Sequence, residues 1–305
     1  MHPNFFDSRG PRGSLNPFSR LKNYRKLSGP KQLLINTLVG FNQLNVEIVT
    51  NRNLCRFDQN PIWIPAGDLS FLNSKEIKLL SRENVTLGPN IDWFNDGIAR
   101  VVNQLSQAKV LVPHHWVIAP VSKRLSKDCR ISVWHSGIDT DFWRKAEIYT
   151  KNNNVMIYLK NLGDLENLRH AETYLKRRNI KFTTLRYGSY TRTQFKSTLE
   201  QVNAAIWIGG TESQGLAMME CWSMGIPTLV LTKRNWIDPD GSSFAASSAP
   251  YMTEAEGHFS KSDLFLNSDF DDFFSNLDKY SPRQNVQDTF NLIDCASNLL
   301  DILRE

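Results

Sequence analysis

Glu212 and Glu220 stand with seven residues between them in the stretch 204–231, AAIWIGGTESQGLAMMECWSMGIPTLVL. A buried apolar run closes at Ile208, and Gly209-Gly210 permit a tight backbone. Glu212-Ser213-Gln214-Gly215 then leads into a helix that Gly225-Ile226-Pro227 ends. A glycine-bearing turn from a strand into a helix N-terminus is a place for phosphate. Its free N–H groups and the helix dipole point at the anion, and Gly215 lets it approach. Glu220 lies about five residues into that helix, about 7–8 Å from its start at 1.5 Å per residue. That is the span from a diphosphate to its ribose, where a carboxylate can accept both hydroxyl protons. Glu212 stands on the loop, near the outer phosphate and whatever that phosphate carries. Without the glycine context, both glutamates would read as ordinary solvated charges.

The elements that must hold this turn follow from hydrophobic periodicity. Short apolar runs at 46–50, 61–64, 85–87, 110–112 and 130–134, then at 155–159, 181–185, 204–208 and 228–231, lack clean alternation. Strands buried on both faces of a parallel sheet have this look. Amphipathic helices are expected between them, at 30–45, 75–81 (capped by Ser74), 93–105, 116–125, 164–178, 191–203 and 216–224. A last helix is expected over about 285–303, with Val286, Phe290, Ile293, Ala296 and Leu300 at spacings of three and four. Alternating β and α elements give an α/β class with doubly wound parallel sheets.

The 305 residues suit two domains. These are expected at 1–143 and 144–305, divided at the polar stretch 144–154, with the final helix packing back on the first domain. A hydrophobic fraction of 41% and a charged fraction of 22% exclude wholesale disorder. No apolar run approaches the roughly 18–20 residues of a membrane span. The first residues do not read as a secretory signal. Cys55, Cys129, Cys221 and Cys295 lie far apart, which argues against a zinc site or disulfide framework and fits a reducing cytoplasm. The net charge of +5 is segregated. Residues 1–31 hold seven basic side chains against Asp7 alone, while residues 261–305 hold four basic and nine acidic ones. The basic arm reads as a solvated loop near a phosphate cleft. Weak attraction to the inner face of a membrane is an alternative. No nucleic-acid motif accompanies it, so nucleic acid is not an expected partner.

The pattern E-S-Q-G-L-A-M-M-E-C-W-S-M-G-I-P-T-L resembles the donor-site signature of the retaining glycosyltransferases of family 4. Their GT-B fold sets two Rossmann-like domains across a cleft, of which this chain would be a compact version. Leu185-Arg186-Tyr187-Gly188-Ser189-Tyr190 resembles the family's strand and glycine turn. His135-Ser136-Gly137-Ile138-Asp139 resembles the junction motif, with Ser136 in place of the usual Asn. Gly29-Pro30-Lys31 resembles the acceptor-domain glycine turn. The resemblance implies a hexosyl transfer from a UDP- or GDP-linked sugar to a hydroxyl of a sugar, glycan or lipid-linked acceptor. Retention and metal independence are implied, with no cofactor beyond the donor substrate. Glu220 would bind the ribose and Glu212 the donor sugar. The N–H groups of Gln214, Gly215 and Leu216, with Ser213 beside them, would hold sugar and phosphate oxygens. The base would be read near Arg186, Tyr187 and Gly188, with Gly29 opposite. Of the family's two diphosphate clamps, Lys160 fills the first, and Arg186 is the substitute for the second. Asn90 stands where the family often has a histidine. His114 and His115 fall in the next turn, and Trp93, Trp116 and Trp143 are candidates for lining the acceptor cleft. Asp238-Pro239-Asp240 lies past the donor turn, where a metal would not serve. Two other readings stay open. One is an inverting transferase with His114 or Asp92 as base. The other is a nucleotide-sugar-binding partner without turnover.

Overall fold

The computed structural model describes residues 4–5, 29–50, 61–67, 69, 72, 74–81, 84–91, 96–105, 107–126, 129–145 and 153–305. The chain folds as two parallel sheets, each covered on both faces. The first sheet has the order β2-β1-β3-β4-β5-β6. Its strands are β1 (Asn4–Phe5), β2 (Val49–Thr50), β3 (Ile62–Gly67), β4 (Val85–Ile91), β5 (Lys109–Val112) and β6 (Arg130–Val133). All its pairings are parallel. The second has the order β13-β10-β9-β7-β8, again all parallel. Its strands are β7 (Asn154–Leu159), β8 (Lys181–Arg186), β9 (Ala204–Ile208), β10 (Thr228–Val230) and β13 (Gly257–Phe259). β5 and β9 are buried along their whole length, as strands covered on both faces must be.

Helices α1 (Gly29–Gln43), α2 (Ser74–Leu80), α3 (Asp96–Gln104) and α4 (Ile118–Ser122) belong to the first half. In the second half, α5 (Leu165–Arg177) starts at the Asp164 cap. Thr191 and Gln194 form a capping box that opens α6 (Arg192–Leu199). α7 (Leu216–Ser223) and α8 (Asn267–Ser275) follow. Apolar clusters fill each sheet's two faces. Ile62, Val85, Val110 and Val121 belong to one, and Leu33, Trp63, Leu111 and Trp134 to the other. Met156, Tyr158, Trp207 and Trp222 pack on one face of the second sheet, and Ile157, Leu175, Ile206 and Phe270 on the other.

Several features depart from the sequence reading, β13 and α8 among them. Asn4–Phe5 pairs between β2 and β3, so the basic arm is not a solvated loop throughout; residues 6–28 lie outside the described residues. A hairpin of β11 (Asn235–Ile237) and β12 (Ser243–Ala245) follows β10. The expected last helix is two helices, α9 (Pro282–Thr289) and α10 (Leu292–Arg304). The break has local causes. Asn291 caps α10 by accepting from the Asp294 N–H at 2.9 Å. The Phe290 carbonyl, lost to the helix, accepts from the Ile138 N–H at 2.7 Å. α9 packs against α7, while α10 packs against α1 in the first half. Trp134 fixes it there through an indole N–H to the Cys295 carbonyl at 2.8 Å. The chain thus crosses between the halves twice, at 134–138 and at 290–292, side by side.

Candidate functional site

In the second sheet, β8 lies on one side of β7 and β9 on the other. A reversal of strand order opens a crevice at the carboxyl ends of those strands. Leu159 sits there in register between Arg186 and Ile208. The Lys160 N–H donates to the Ile208 carbonyl at 2.8 Å, which lays Lys160 against Gly209. The structure therefore brings Lys160, Arg186 and the start of the glutamate loop to one edge.

The loop from Gly209 to Gly215 is held from several sides. The Glu212 N–H donates to the Ser247 carbonyl at 2.8 Å. Trp116, from the first half, donates its indole N–H to the Glu212 carbonyl at 2.9 Å. Gly215 is left-handed, with φ 74° and ψ 40°, and its carbonyl accepts the first bonds of α7. That conformation suits glycine alone without cost. Leu216 packs against clusters of both halves, including the one containing Leu33 and Leu34 of α1. Gln214 is buried with its Nε2 unpartnered, and Ser213 is exposed.

The Glu212 carboxylate is 8% exposed, and its Oε1 accepts from Lys160 Nζ at 2.5 Å. Burial pushes its pKa up, and the Lys160 ammonium opposes the shift. Lys160 Nζ also stands 5.4 Å from the centre of the exposed Tyr187 ring.

Glu220 is buried on α7, and burial raises its pKa to about 8. Arg192 and the Trp143 indole oppose that rise. The Trp143 N–H faces the carboxylate without closing a hydrogen bond of ordinary geometry. Arg192 opens α6, with its guanidinium carbon 4.3 Å from the Phe142 ring centre and 5.1 Å from that of Trp143. Its Nε is buried and unpartnered. Sequence reasoning passed over Arg192. The signal was its place one residue after the Thr191 cap, at the carboxyl edge of β8. Tyr190 and Tyr158 share a hydrogen bond of 2.5 Å between hydroxyls, and both phenols sense nearby glutamate charge.

The remaining candidates are placed as follows. Arg186, Tyr187 and Gly188 form an exposed turn, closed by the Ser189 N–H and Oγ on the Arg186 carbonyl. Gly29 is exposed at the start of α1, with open space about it. Asn90, on β4, has a buried Nδ2 without a partner. Trp143 is fully buried core rather than cleft lining, whereas Trp116 is half-buried between Glu212 and the Trp236 ring. His114 is half-buried at the start of the turn before Trp116. Its Nδ1 accepts from the Trp116 N–H at 3.2 Å, and the ring faces the Pro250 backbone. Burial and the neighbouring His115 lower its pKa. His135 is lowered to about 4 by burial and packs against Phe290 and Tyr251. Asp92 and Trp93 lie outside the described residues.

Asp238 and Asp240, on the β11–β12 hairpin, join the halves. Arg124 pairs with the buried Asp238 at 2.5 Å, and Lys123 pairs with Asp240. Lys123 Nζ also reaches Ser242 Oγ at 2.6 Å. The Tyr251 hydroxyl donates to the Pro113 carbonyl across the same gap. Among the described residues no helix is long and apolar enough to cross a membrane.

No protein-family model and no curated protein matches the chain. Solved structures do. HepE from Anabaena, in complex with UDP and glucose, is similar with a TM-score of 0.56 and 10% identity, over 100% of this chain and 99% of that one. Sucrose-phosphate synthase from Thermosynechococcus elongatus has a TM-score of 0.57 and 10% identity, over 100% and 98%. The lipopolysaccharide outer core galactosyltransferase WaaB has a TM-score of 0.52 and 11% identity, over 99% and 98%. The fold is GT-B, two Rossmann-like halves across a cleft.

Proposed function

We propose that the chain is a nucleotide-sugar-dependent glycosyltransferase that moves a hexosyl group to a hydroxyl, with retention and without a metal. One observation carries this reading. Glu212, Glu220 and the start of α7 converge at the strand-order reversal of the second sheet, beside Lys160 and Arg186. The donor's diphosphate would lie on the first N–H groups of α7 and on Lys160, with Arg186 as second cation. The sugar would meet Glu212, the ribose Glu220, and the base the exposed Tyr187 turn. Charge developing on the leaving diphosphate is stabilised by groups already aimed at it. UDP is the first donor nucleotide to test, because the similar HepE structures contain UDP.

Two observations favour the finer points. His114 Nδ1 already accepts from the Trp116 N–H, and burial lowers its pKa, which makes it a weak base for inversion. Asp238 and Asp240 are taken by Arg124 and Lys123 rather than left to a cation. In the retaining reading the departing phosphate oxygen takes the acceptor's proton.

A thermal-shift screen with UDP, GDP, ADP, CMP and their sugar conjugates tests the reading. Ligand at about 100 times its dissociation constant adds about 2.7 kcal/mol of stability. Stabilisation by one nucleotide class, lost in Glu220→Ala, supports the donor site. No shift with any nucleotide overturns it. An inverted anomeric product would overturn retention alone.

A further inference from the structure

Lys160 has two claims on it. As the cation nearest the start of α7, it is the donor's phosphate ligand under the reading above, on which this inference rests. In the free protein its ammonium is already spent on Glu212, at 2.5 Å. It is 34% exposed, whereas the Glu212 side chain is 8% exposed. The ammonium can swing toward solvent and an arriving anion, but the carboxylate cannot follow. Its own loop is held by the Ser247 and Trp116 hydrogen bonds.

We propose that the Lys160–Glu212 pair is a ligand-operated lock by which the site tells an intact sugar donor from a spent nucleotide. The diphosphate draws Lys160 off Glu212 in either case. With a sugar attached, hydroxyl groups donate to the freed carboxylate and keep it ionised. With the sugar gone, the carboxylate is left buried and unpaired, and it takes a proton from the buffer. A buried charge stripped of its partner is strongly unfavourable, so protonation relieves it. Among the described residues Lys160 is the charged group that bears on it, and Arg186, at the same edge, goes to the diphosphate under the reading above. Tyr158 and Tyr190 sense its charge, and burial raises both phenols, so they stay neutral hydroxyls. Tyr187 lies under Lys160. Gln214, on the same loop, is uncharged. The spent nucleotide therefore binds with a proton that the intact donor does not need. Its affinity relative to the donor falls as pH rises, which speeds product release.

Titration calorimetry of UDP in phosphate and in Tris buffer at equal pH counts the protons taken up. UDP's terminal phosphate and Glu220 exchange protons too, so the comparison is between wild type and Glu212→Gln, which share both. The wild type is expected to take up more protons than the variant, and UDP is expected to bind the variant at least as tightly, because its Lys160 is free. Lys160→Met supplies a second arm should the first variant fold poorly. With the pair already absent, the extra uptake should vanish. Equal proton counts in wild type and Glu212→Gln would overturn the lock. So would a tenfold loss of UDP affinity in Glu212→Gln, or extra uptake that survives in Lys160→Met. An absence of binding heat with UDP, GDP, ADP and CMP alike in the wild type would instead overturn the donor-site reading itself.

Discussion

Trp116 of the first half donates its indole N–H to the Glu212 backbone carbonyl of the second, at 2.9 Å. The loop that carries Glu212 is thereby held from across the cleft. Its position depends on how the two halves sit. Trp116→Phe keeps an aromatic ring and removes the indole N–H donor. A hydrogen bond of about 0.5–1.5 kcal/mol is lost. Transfer should slow about twofold to tenfold, while UDP affinity stays within about twofold because the phosphate ligands are intact. Steady-state kinetics beside calorimetry separates the two effects. An equal loss in both would mean that Trp116 acts on donor binding.

Glu220 links function to pH. Burial holds its pKa in the folded protein at about 8, above the ordinary carboxylate value of 4.5. A carboxyl raised on folding favours the folded state while it is protonated. That stability is fully present below the unfolded pKa and is lost as pH rises through the folded one. Glu220→Gln escapes the loss. It should exceed wild type by about 1–3 kcal/mol near pH 8.5, with no difference near pH 4.5 and with UDP binding lost. Urea unfolding at both pH values measures this. A pH-independent difference would mean that Glu220 is ionised in the free protein.

The hairpin ion pairs differ in worth. Asp238 is buried and Arg124 is 13% exposed. Arg124→Ala strands a buried carboxylate, with only Lys123 at 3.8 Å remaining. It should cost about 2–4 kcal/mol. Lys123 and Asp240 are exposed, and Lys123→Ala should cost under about 1 kcal/mol. Urea midpoints give both numbers, and equal losses would refute the ranking.

Gly137 touches the second crossing. A Cβ there would meet the Asn291 carbonyl oxygen and the Leu292 Cα, each at 2.7 Å. Gly137→Ala should destabilise by about 1–3 kcal/mol. Gly163→Ala, whose Cβ would meet only Asn161 Oδ1 at 3.5 Å, should stay within about 0.5 kcal/mol. Thermal unfolding of the two variants is the check.

Most strands of both sheets were legible, because β-branched and apolar runs buried on two faces admit few other readings; β1 and β13 were not. The strand–turn–helix setting of Glu212 and Glu220 was legible because Gly215 marks its turn. Local pattern could not show which distant groups meet that turn. Arg192 reaches Glu220 only through the folding of α6 beside α7. Trp116 reaches Glu212 only when the halves meet. The two final helices were misread because apolar spacing runs on through their break. The continuous stripe included Ile293, which is 45% exposed. The buried face of α10 does use Ala296 and Leu300, with Leu292, Cys295, Leu299 and Leu303. The Asn291 cap and Asp294 were the signal of a fresh start. β1 and the β11–β12 hairpin carry too few residues for periodicity to register.

The two chain crossings, tied by the Ile138 N–H on the Phe290 carbonyl at 2.7 Å, have a mechanical consequence. A single covalent crossing would work as a ball joint, free to swing and twist. Two strands of chain abreast define an axle. Rotation about that axle opens or narrows the gap between Trp116 and Glu212, while sideways shear strains backbone on both strands. The paired crossings therefore favour rotation about that axle, which carries the first half toward or away from the loop that holds Glu212.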